Sequence, residues 1–423
     1  MGGVILLQPQ RRVSHENLHY THLLLIAVIV SLLSPARIVR AAAPLFVKQN
    51  GTGDCSRWDN ACSLQTALTS PTSSVEVWVA TGVYKPTAVG TDRSATFQLK
   101  NGKILYGGFS GSETVLDQRD PEANLTILSG DIDNNDSQKP IITDLTSVTG
   151  NTSNSYQVVT SASGATLDGF TITAGYASSA GTANYGGGMY NGASDPVLVD
   201  VTFSGNWAGY GGGMFNDFGS KPSLTGVTFN HNSAAIQGGG LFSEGASIPA
   251  LVNVTFSGNS ANQGGGMFNH NGSNATLTNV TFSGNMATDT GGGMLNQWYS
   301  YPTLNDITFS GNSATNDGGG MYNKVSSSPM MTNVTFSGNS ATRGGAIYTS
   351  GSSPMMLNVT ISGNAASDRG GGLFINDYSY PTFRNTIFWG NTAGNDVGAQ
   401  IYNLSGDSTP SDSVVQDGTA DHS

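Results

Sequence analysis

The chain has 423 residues, including 57 glycines, and only 11% of its residues are charged, compared with about a quarter in an average soluble domain. Residues that favour helices are therefore scarce, and the composition excludes a mainly helical fold. The formal charge of -11 comes from scattered carboxylates, and the 17 Lys and Arg residues form no basic stripe, so no nucleic-acid partner is expected.

The N-terminus has the pattern of an export signal. Two arginines precede an apolar run of eleven residues, Leu23 to Leu33, which is shorter than the roughly 20 residues of a membrane-spanning helix. The small residues of "VRAAAP" then offer cleavage after Ala41 or Ala43. We interpret residues 1–43 as a signal peptide and expect no transmembrane segment in the mature chain; an uncleaved N-terminal anchor is the alternative.

The segment after the signal contains the two cysteines of the chain, Cys55 and Cys62, in "CSRWDNAC". In an exported protein this pair predicts a disulfide, and two free thiols are the alternative. The following "DNACSLQTAL" offers Asp59 as a helix start and an apolar face, which predicts a short helix that caps a solenoid. We assign residues 44–107 to an N-terminal cap and first strands.

The rest of the chain repeats one phrase, which reads "VTFSGNSA" from Val254. Each copy has a hydrophobic anchor, and the anchors are 25 to 27 residues apart: Phe203, Phe229, Phe256, Phe282, Phe309, Phe336, Ile361 and Phe388. An asparagine follows every anchor after three residues: Asn206, Asn232, Asn259, Asn285, Asn312, Asn339, Asn364 and Asn391. Repetition at this period predicts a solenoid.

Each copy contains three short strand-like pieces, namely the anchor phrase, a "GGGMF" phrase and an "xPxL" phrase. Three extended pieces with Gly, Pro and Asn at the corners predict one coil of an all-β, right-handed parallel β-helix. A further coil around Leu167 makes about nine clear coils, preceded by looser ones. We assign residues 108–403 to the β-helix and residues 404–423 to an incomplete final coil or tail.

Coils of a parallel β-helix stack about 4.8 Å apart, so equivalent residues form columns. The anchors are expected to fill the interior. The asparagines are expected to form a buried ladder, because an amide both donates and accepts hydrogen bonds and can therefore bond to the coils on either side.

These copies, which pair F-x-x-N with G-G-x-[ILMV], resemble the polymorphic outer membrane protein repeats of bacterial β-helix proteins. The stretch from "WVATGVYKPT" at Trp78 to "GDIDNND" at Asp136 resembles the N-terminal region of secreted bacterial proteins with such repeats. The resemblance covers nearly all of residues 45–418. It implies a pectin-lyase-like fold and an exported, surface-associated or extracellular protein, and it implies little about activity.

One candidate for catalysis is a charged cluster beside the glycine runs. Asp317, Arg343, Asp368 and Arg369 should lie within about two coils, or roughly 10 Å. Carboxylates and guanidinium groups would bind an acidic sugar there, as in a polysaccharide lyase or glycosidase. The alternative is a solvated turn with surface ion pairs.

A candidate metal site lies in "GDIDNNDSQKP", where Asp131, Asp133, Asn135 and Asp136 alternate as oxygen ligands of calcium would. The segment lacks the glycine and the closing glutamate of the helix-loop-helix calcium pattern. A polar loop is the alternative, and no other cofactor is expected.

A candidate ligand-binding surface is the column that follows the Met-type position of each "GGGM" phrase. Its members are Tyr190, Phe215, Phe242, Phe268, Leu295, Tyr322, Tyr348 and Phe374. Neighbouring residues of a strand face opposite ways, so either this column or the methionine column points outward. Outward rings would form a ladder on which a glycan stacks; inward or covered rings would be ordinary packing.

The function favoured by the sequence is an exported, cell-surface or extracellular scaffold, with outer-membrane association, that adheres to a glycan or a host surface protein without catalysis. A polysaccharide lyase or glycosidase on the same fold is the first alternative. A purely structural stalk is the second.

Overall fold

The computed structural model describes residues 43–71, 75–87, 90, 92–394 and 397–416, and the backbone of residues 421–422. The predicted signal peptide, residues 1–43, lies outside this range except for its last residue. The described strands form three sheets of 21, 8 and 12 strands, and every strand pairing is parallel. The expected all-β parallel β-helix is confirmed.

Sheet 1 contains the anchor and "xPxL" phrases. Its strands are Leu45–Val47, Glu76–Ala80, Gly82–Tyr84, Ile104–Phe109, Thr126–Ser129, Thr166–Asp168, Thr171–Thr173, Val197–Val199, Thr202–Ser204, Ser223–Thr225, Thr228–Asn230, Ala250–Ser257, Thr276–Ser283, Thr303–Ser310, Met330–Ser337, Met355–Leu357, Thr360–Ser362, Thr382–Arg384, Ile387–Trp389, Thr409–Ser411 and Val414–Val415.

The strands of sheet 2 come directly after the ladder asparagines in the sequence, and the strands of sheet 3 contain the "GGGMF" phrases. The strands of sheet 2 are Tyr176–Ala177, Trp207–Tyr210, Ser233–Gln237, Ser260–Gln263, Met286–Thr290, Ser313–Ala314, Ser340–Arg343 and Ala365–Arg369. The strands of sheet 3 are Phe97–Gln98, Val159–Thr160, Met189–Gly192, Met214–Asp217, Leu241–Ser243, Met267–His270, Met294–Gln297, Met321–Lys324, Ile347–Ser350, Leu373–Asn376, Ile401–Asn403 and Asp421–His422.

The N-terminal helix, α1, spans Leu64–Thr69. It begins later than the sequence analysis expected, because the side chain of Ser63 accepts a hydrogen bond from Thr66 N at 3.1 Å and caps the helix. Asp59 lies instead in a 3-10 helix. The 3-10 helices are Trp58–Asn60, Leu116–Gln118, Asn151–Ser153 and Gly181–Asn184.

Cys55 and Cys62 are joined by a disulfide. Both flank the first strand of sheet 1, since Phe46 N donates to Cys55 O and Cys62 N donates to Phe46 O. The crosslink therefore closes the loop that packs against the start of the coil stack.

The interior of the coil stack is filled by the anchor column. Phe256, Phe282, Phe309 and Phe336 pair in register, and each ring stacks on the next with centroids 4.6 to 4.7 Å apart. All four are fully buried. Identical residues therefore repeat the same contact at every coil.

The asparagine column is buried beside the anchors, and all eight side chains are at most 4% exposed. Asn285 Nδ2 donates to Phe256 O of the preceding coil at 3.0 Å and to Asn312 Oδ1 of the following coil at 2.9 Å. Asn285 Oδ1 accepts from Nδ2 and the backbone N of Asn259. Each amide thus satisfies polar groups that the coil itself leaves buried.

Two further polar columns were not anticipated from the sequence. The residue after each aromatic of sheet 3 points inward and forms a second amide column, in which Asn269 Nδ2 donates to Asn296 Oδ1 and Asn296 Nδ2 donates to Asn323 Oδ1, both at 2.9 Å. A column of buried serines lies two residues before most of the "xPxL" prolines: Ser220, Ser247, Ser273, Ser300, Ser327, Ser352 and Ser379.

Asn285→Leu should lower the free energy of unfolding by about 2 to 5 kcal/mol, because it leaves the amide and backbone N–H of Asn259 without an acceptor. Asn305→Leu is the control, since Asn305 lies in the next coil but on the outer face of sheet 1, and it should change stability by no more than about 0.5 kcal/mol. Denaturant titration followed by circular dichroism measures both, and equal effects would contradict a buried ladder.

Candidate functional site

The charged candidates belong to a column that lies just before the glycine runs, which we call the pre-glycine column. Its members pair from coil to coil: Tyr185, Tyr210, Gln237, Gln263, Thr290, Asp317, Arg343 and Arg369. The glycine run turns the chain from sheet 2 into sheet 3, where the aromatic column follows.

The turn brings the pre-glycine and aromatic columns together on the outside of the coils, in what we call the outer notch. The Arg343 guanidinium lies 5.4 Å from the centre of the Tyr348 ring and 5.8 Å from that of Phe374. The Tyr185 ring stacks on Phe215 at 4.5 Å. Two sets of residues that the sequence analysis treated separately are therefore one structural unit.

Glycine is required where the turn begins. Gly264 has φ of +65°, and a Cβ placed on it would lie 2.8 Å from Phe268 Cβ. Any larger residue would push the ring out of the notch while straining the backbone. The run of glycines is thus explained by close packing and needs no phosphate or metal ligand.

Asp317 and Arg343 form a bidentate ion pair, with Nε to Oδ1 at 2.8 Å and Nη2 to Oδ2 at 3.0 Å. Burial raises the pKa of Asp317, although the Arg343 guanidinium acts in the opposite direction. Burial also lowers the pKa of the neighbouring Lys324. The pair is a structural contact at the edge of the aromatic column.

Asp368 and Arg369 stay apart from that pair. Their own ion pair is long, at 3.5 Å, and both side chains are about half exposed. Arg369 Nη1 donates to Tyr402 Oη at 2.7 Å. The structure therefore brings Asp317 and Arg343 into contact but does not gather the four candidates around one anion position.

The aromatic column does not offer the open ladder of rings that a stacking glycan needs. The methionines point inward, and the aromatics Tyr190, Phe215, Phe242, Phe268, Tyr322, Tyr348 and Phe374 lie outside the coil core, as a separate hydrophobic cluster. Except for the half-buried Tyr190, these rings are at most 9% exposed. Side chains of the pre-glycine column cover several of them: Tyr185 stacks on Phe215, Tyr210 stacks on Phe242, and Arg343 lies over Tyr348 and Phe374. This burial corrects the expectation of an open ligand-binding surface.

The four candidate calcium ligands do not converge either. Asp131 and Asp136 are buried and line a cavity of about 220 Å³, whereas Asp133 and Asn135 are exposed and bond to each other at 2.7 Å. Burial, with the nearby Asp131 carboxylate, raises the pKa of Asp136 to about 6. Throughout the described ranges, no three His, Cys, Asp or Glu side chains form a metal-binding group.

A surface that the sequence analysis missed lies on the turn between sheet 3 and sheet 1. Six large aromatic residues on it are 45% to 77% exposed, and we call them the aromatic rim: Phe218, Trp298, Tyr299, Tyr301, Tyr378 and Tyr380. The phrase "YSYP" occurs twice, at Tyr299 and Tyr378. In each copy the serine is buried and the two tyrosines are exposed.

The rim residues occupy unfavourable backbone conformations. Phe218, Trp298, Tyr299 and Tyr378 all have φ between +54° and +60°. A left-handed conformation costs a residue with a side chain roughly 1 to 2 kcal/mol, and the equivalent turn of another coil uses Asn271 and Gly272, which suit it. A third coil holds Val325 and Ser326 at these positions, also at positive φ, so the turn itself does not require an aromatic ring.

Arg343→Ala should lower the free energy of unfolding by about 2 kcal/mol, because it leaves the Asp317 carboxylate buried without its partner. Arg369→Ala, one coil further on, should cost no more than about 1 kcal/mol because Asp368 is exposed. Thermal denaturation compares the two, and a larger loss for Arg369→Ala would contradict this assignment.

Phe268→Ala should destabilise the protein by about 3 to 5 kcal/mol, because the ring is fully buried in the outer notch. Phe218→Ala removes a ring of the same size that is 70% exposed and should cost less than about 1 kcal/mol. If both variants unfold at the same denaturant concentration, the notch is not packed as described.

A family model described as "Right handed beta helix region" matches residues 270–420, and one described as "Chlamydia polymorphic membrane protein (Chlamydia_PMP) repeat" matches residues 226–244. A search of curated proteins finds no match. Within the described ranges, none of the helices has the length and apolar character needed to cross a bilayer.

Proposed function

Since this chain is a right-handed β-helix protein with repeats of the polymorphic membrane protein type, we propose that it is an exported, surface-exposed scaffold that adheres to glycans through the aromatic rim. The proposed location rests on the membrane protein named by the matching repeat and on the predicted signal peptide. The adhesive role rests on the rim.

The observation that carries the proposal is the combination of exposure and strain at the rim. Trp298 and Tyr299 are adjacent, about half exposed, and both in the left-handed conformation. Backbone strain at an exposed aromatic residue lowers stability, and the exposed ring does not offset this cost by packing. Residues with such strained backbone conformations concentrate at functional sites. A cluster of exposed aromatic side chains such as Trp298, Tyr299 and Tyr301 commonly marks a contact site.

The chemistry of the rim favours a glycan. Flat rings provide stacking surfaces, and the hydroxyls of Tyr299, Tyr301, Tyr378 and Tyr380 add hydrogen-bonding groups at their edges. The rim segments 216–222, 296–302 and 376–381 contain Asp217, Lys221 and Asp377 as their charged residues. This nearly neutral surface favours a neutral glycan over a polyanionic one.

The spacing of the two "YSYP" turns favours an extended ligand. Backbone hydrogen bonds lead from Tyr299 through Val325 and Gly351 to the Tyr378 turn, so the two turns are three coils apart. Three coils correspond to about 14 Å along the axis. A chain molecule lying along the coil stack would contact both turns at once.

The charged candidates give less support to catalysis. Asp317 and Arg343 satisfy each other, and Arg369 is held by Tyr402. A lyase or glycosidase would need these groups directed at a substrate. The non-enzymatic function is therefore the better-supported proposal.

Replacing the rim aromatics by the residues of a neighbouring coil separates binding from folding. The triple variant Trp298→Asn, Tyr299→Gly and Tyr378→Gly should keep or raise the unfolding midpoint, because Asn and Gly suit positive φ. It should also lose retention on a glycan array that the wild-type protein binds, by at least about tenfold if each ring contributes as stacked aromatics do.

Met286→Ala is the matched control, because Met286 is half exposed on sheet 2, whereas the rim lies on the turn between sheet 3 and sheet 1. It should bind as the wild type does. Undiminished binding by the triple variant would refute the rim as the contact site. A wild-type protein that binds neither neutral nor acidic glycans on the array would favour the structural stalk.

A further inference from the structure

The cavity in the N-terminal coils holds a buried carboxylate oxygen that no described residue satisfies. Asp136 is 4% exposed and lines this cavity of about 220 Å³. Asn154 Nδ2 donates to its Oδ2 at 2.8 Å, but its Oδ1 has no hydrogen-bond partner. Leaving a buried carboxylate oxygen unpaired is costly, so the site requires a cation or a donor.

A second oxygen beside Asp136 is in the same condition. Asn154 is fully buried, and its Oδ1 also lacks a partner among the described residues. The amide orientation is fixed by the bond from Nδ2 to Asp136. Two adjacent buried residues therefore each present an unsatisfied acceptor, which is the feature expected around a bound positive charge and not around a bound anion.

The lysines of the cavity wall are directed elsewhere. Lys85 Nζ donates to Asn134 Oδ1 at 3.3 Å and lies 3.7 Å from Asp131 Oδ2, while Lys139 Nζ donates to the Asn134 carbonyl. Neither lysine donates to Asp136 Oδ1. The negative charge of Asp136 is thus uncompensated by a direct contact.

We propose that the cavity beside Asp136 binds a calcium ion, with Asp136 as its principal ligand and Asp131, which lines the same cavity, as a second carboxylate. Carboxylate and amide oxygens are the hard ligands that Ca²⁺ takes, and its coordination is flexible. Mg²⁺ demands a near-octahedral arrangement and dehydrates reluctantly, so it fits an irregular set of protein oxygens less well.

This ligand set differs from the one that alternation along the sequence suggested. Asp133 and Asn135 are exposed to solvent. Asn154, 18 residues further along the chain, donates a hydrogen bond to Asp136. Asn154 lies in the segment before the Val159–Thr160 strand, and its hydrogen bond to Asp136 links that segment to the loop after the Thr126–Ser129 strand. An ion held by Asp136 would stabilise this link. Its effect would therefore be seen in stability as well as in direct binding.

The test uses purified wild-type protein dialysed against a chelator and then into chelator-free buffer. Calorimetric titration with CaCl₂ should give one site, and CaCl₂ should raise the unfolding midpoint by several degrees, more than MgCl₂ at the same concentration. Absence of both binding heat and a midpoint rise would overturn the proposal.

Asp136→Asn keeps the shape of the side chain, and it should abolish the calcium-dependent rise. Asp133→Asn is the matched control, and it should keep the full rise because Asp133 is exposed and bonds only to Asn135 in the described contacts. Equal loss in both variants would place the ion elsewhere and overturn the assignment. If Asp136→Asn does not fold, Asp131→Asn replaces it and should weaken calcium binding at least tenfold; unchanged affinity would count against the site.

Discussion

The buried amide ladder is the constraint on which the rest of the molecule depends. Each ladder asparagine needs an acceptor on the next coil and a carbonyl on the preceding one, so its position relative to both neighbours is fixed. The ladder holds even where the repeat shortens: Asn339 and Asn364 are 25 residues apart, and their side chains still bond at 2.9 Å. Variation in repeat length must therefore be absorbed elsewhere in the coil.

The hydrogen-bonded columns fix the residues inside each coil, so residues that serve a function are expected at positions outside these columns. The columns of phenylalanine, asparagine and serine are repeated because each member completes its neighbour's contacts. The turn between sheets 3 and 1 is less constrained on its outer side, and there the sequence departs from its own pattern with Trp298, Tyr299 and Tyr378. The rim is built on the same buried serine column as the other coils, so its aromatics are displayed by a rigid base.

Much of the architecture could be predicted from the sequence because it depends on repetition. The anchors and the ladder asparagines recur without exception, and parallel stacking turns recurrence along the chain into contact in space. The facing of the "GGGMF" strand could not be predicted in this way. Strand alternation predicts that one of the two neighbouring columns is exposed to solvent. In the structure neither is exposed: Met267 lies inside the coil, and Phe268 lies outside the coil but is buried. That arrangement depends on the positive φ of Gly264 and on side chains that fold over the ring.

The calcium candidate and the aromatic rim could not be predicted in this way, because no repeated pattern in the sequence shows how their residues are arranged in space. Alternation in "GDIDNND" suggested four ligands on one side, but the segment is a loop, and only Asp131 and Asp136 turn inward. Asn154 carries no sequence signal that links it to Asp136. The rim carried a signal, the repeated "YSYP", but its meaning comes from backbone conformation, which a periodic pattern does not reveal.

The second amide column has a consequence for how the protein responds to force. It is interrupted where Ser243 and Thr349 replace asparagine, and there Asn269 Oδ1 and Asn323 Nδ2 lack hydrogen-bond partners among the described residues. In a solenoid the stability is close to a sum over neighbouring interfaces, so these two are the weakest links in that column. If the solenoid is pulled along its axis, its coils should therefore separate at those links first, in blocks of a few coils.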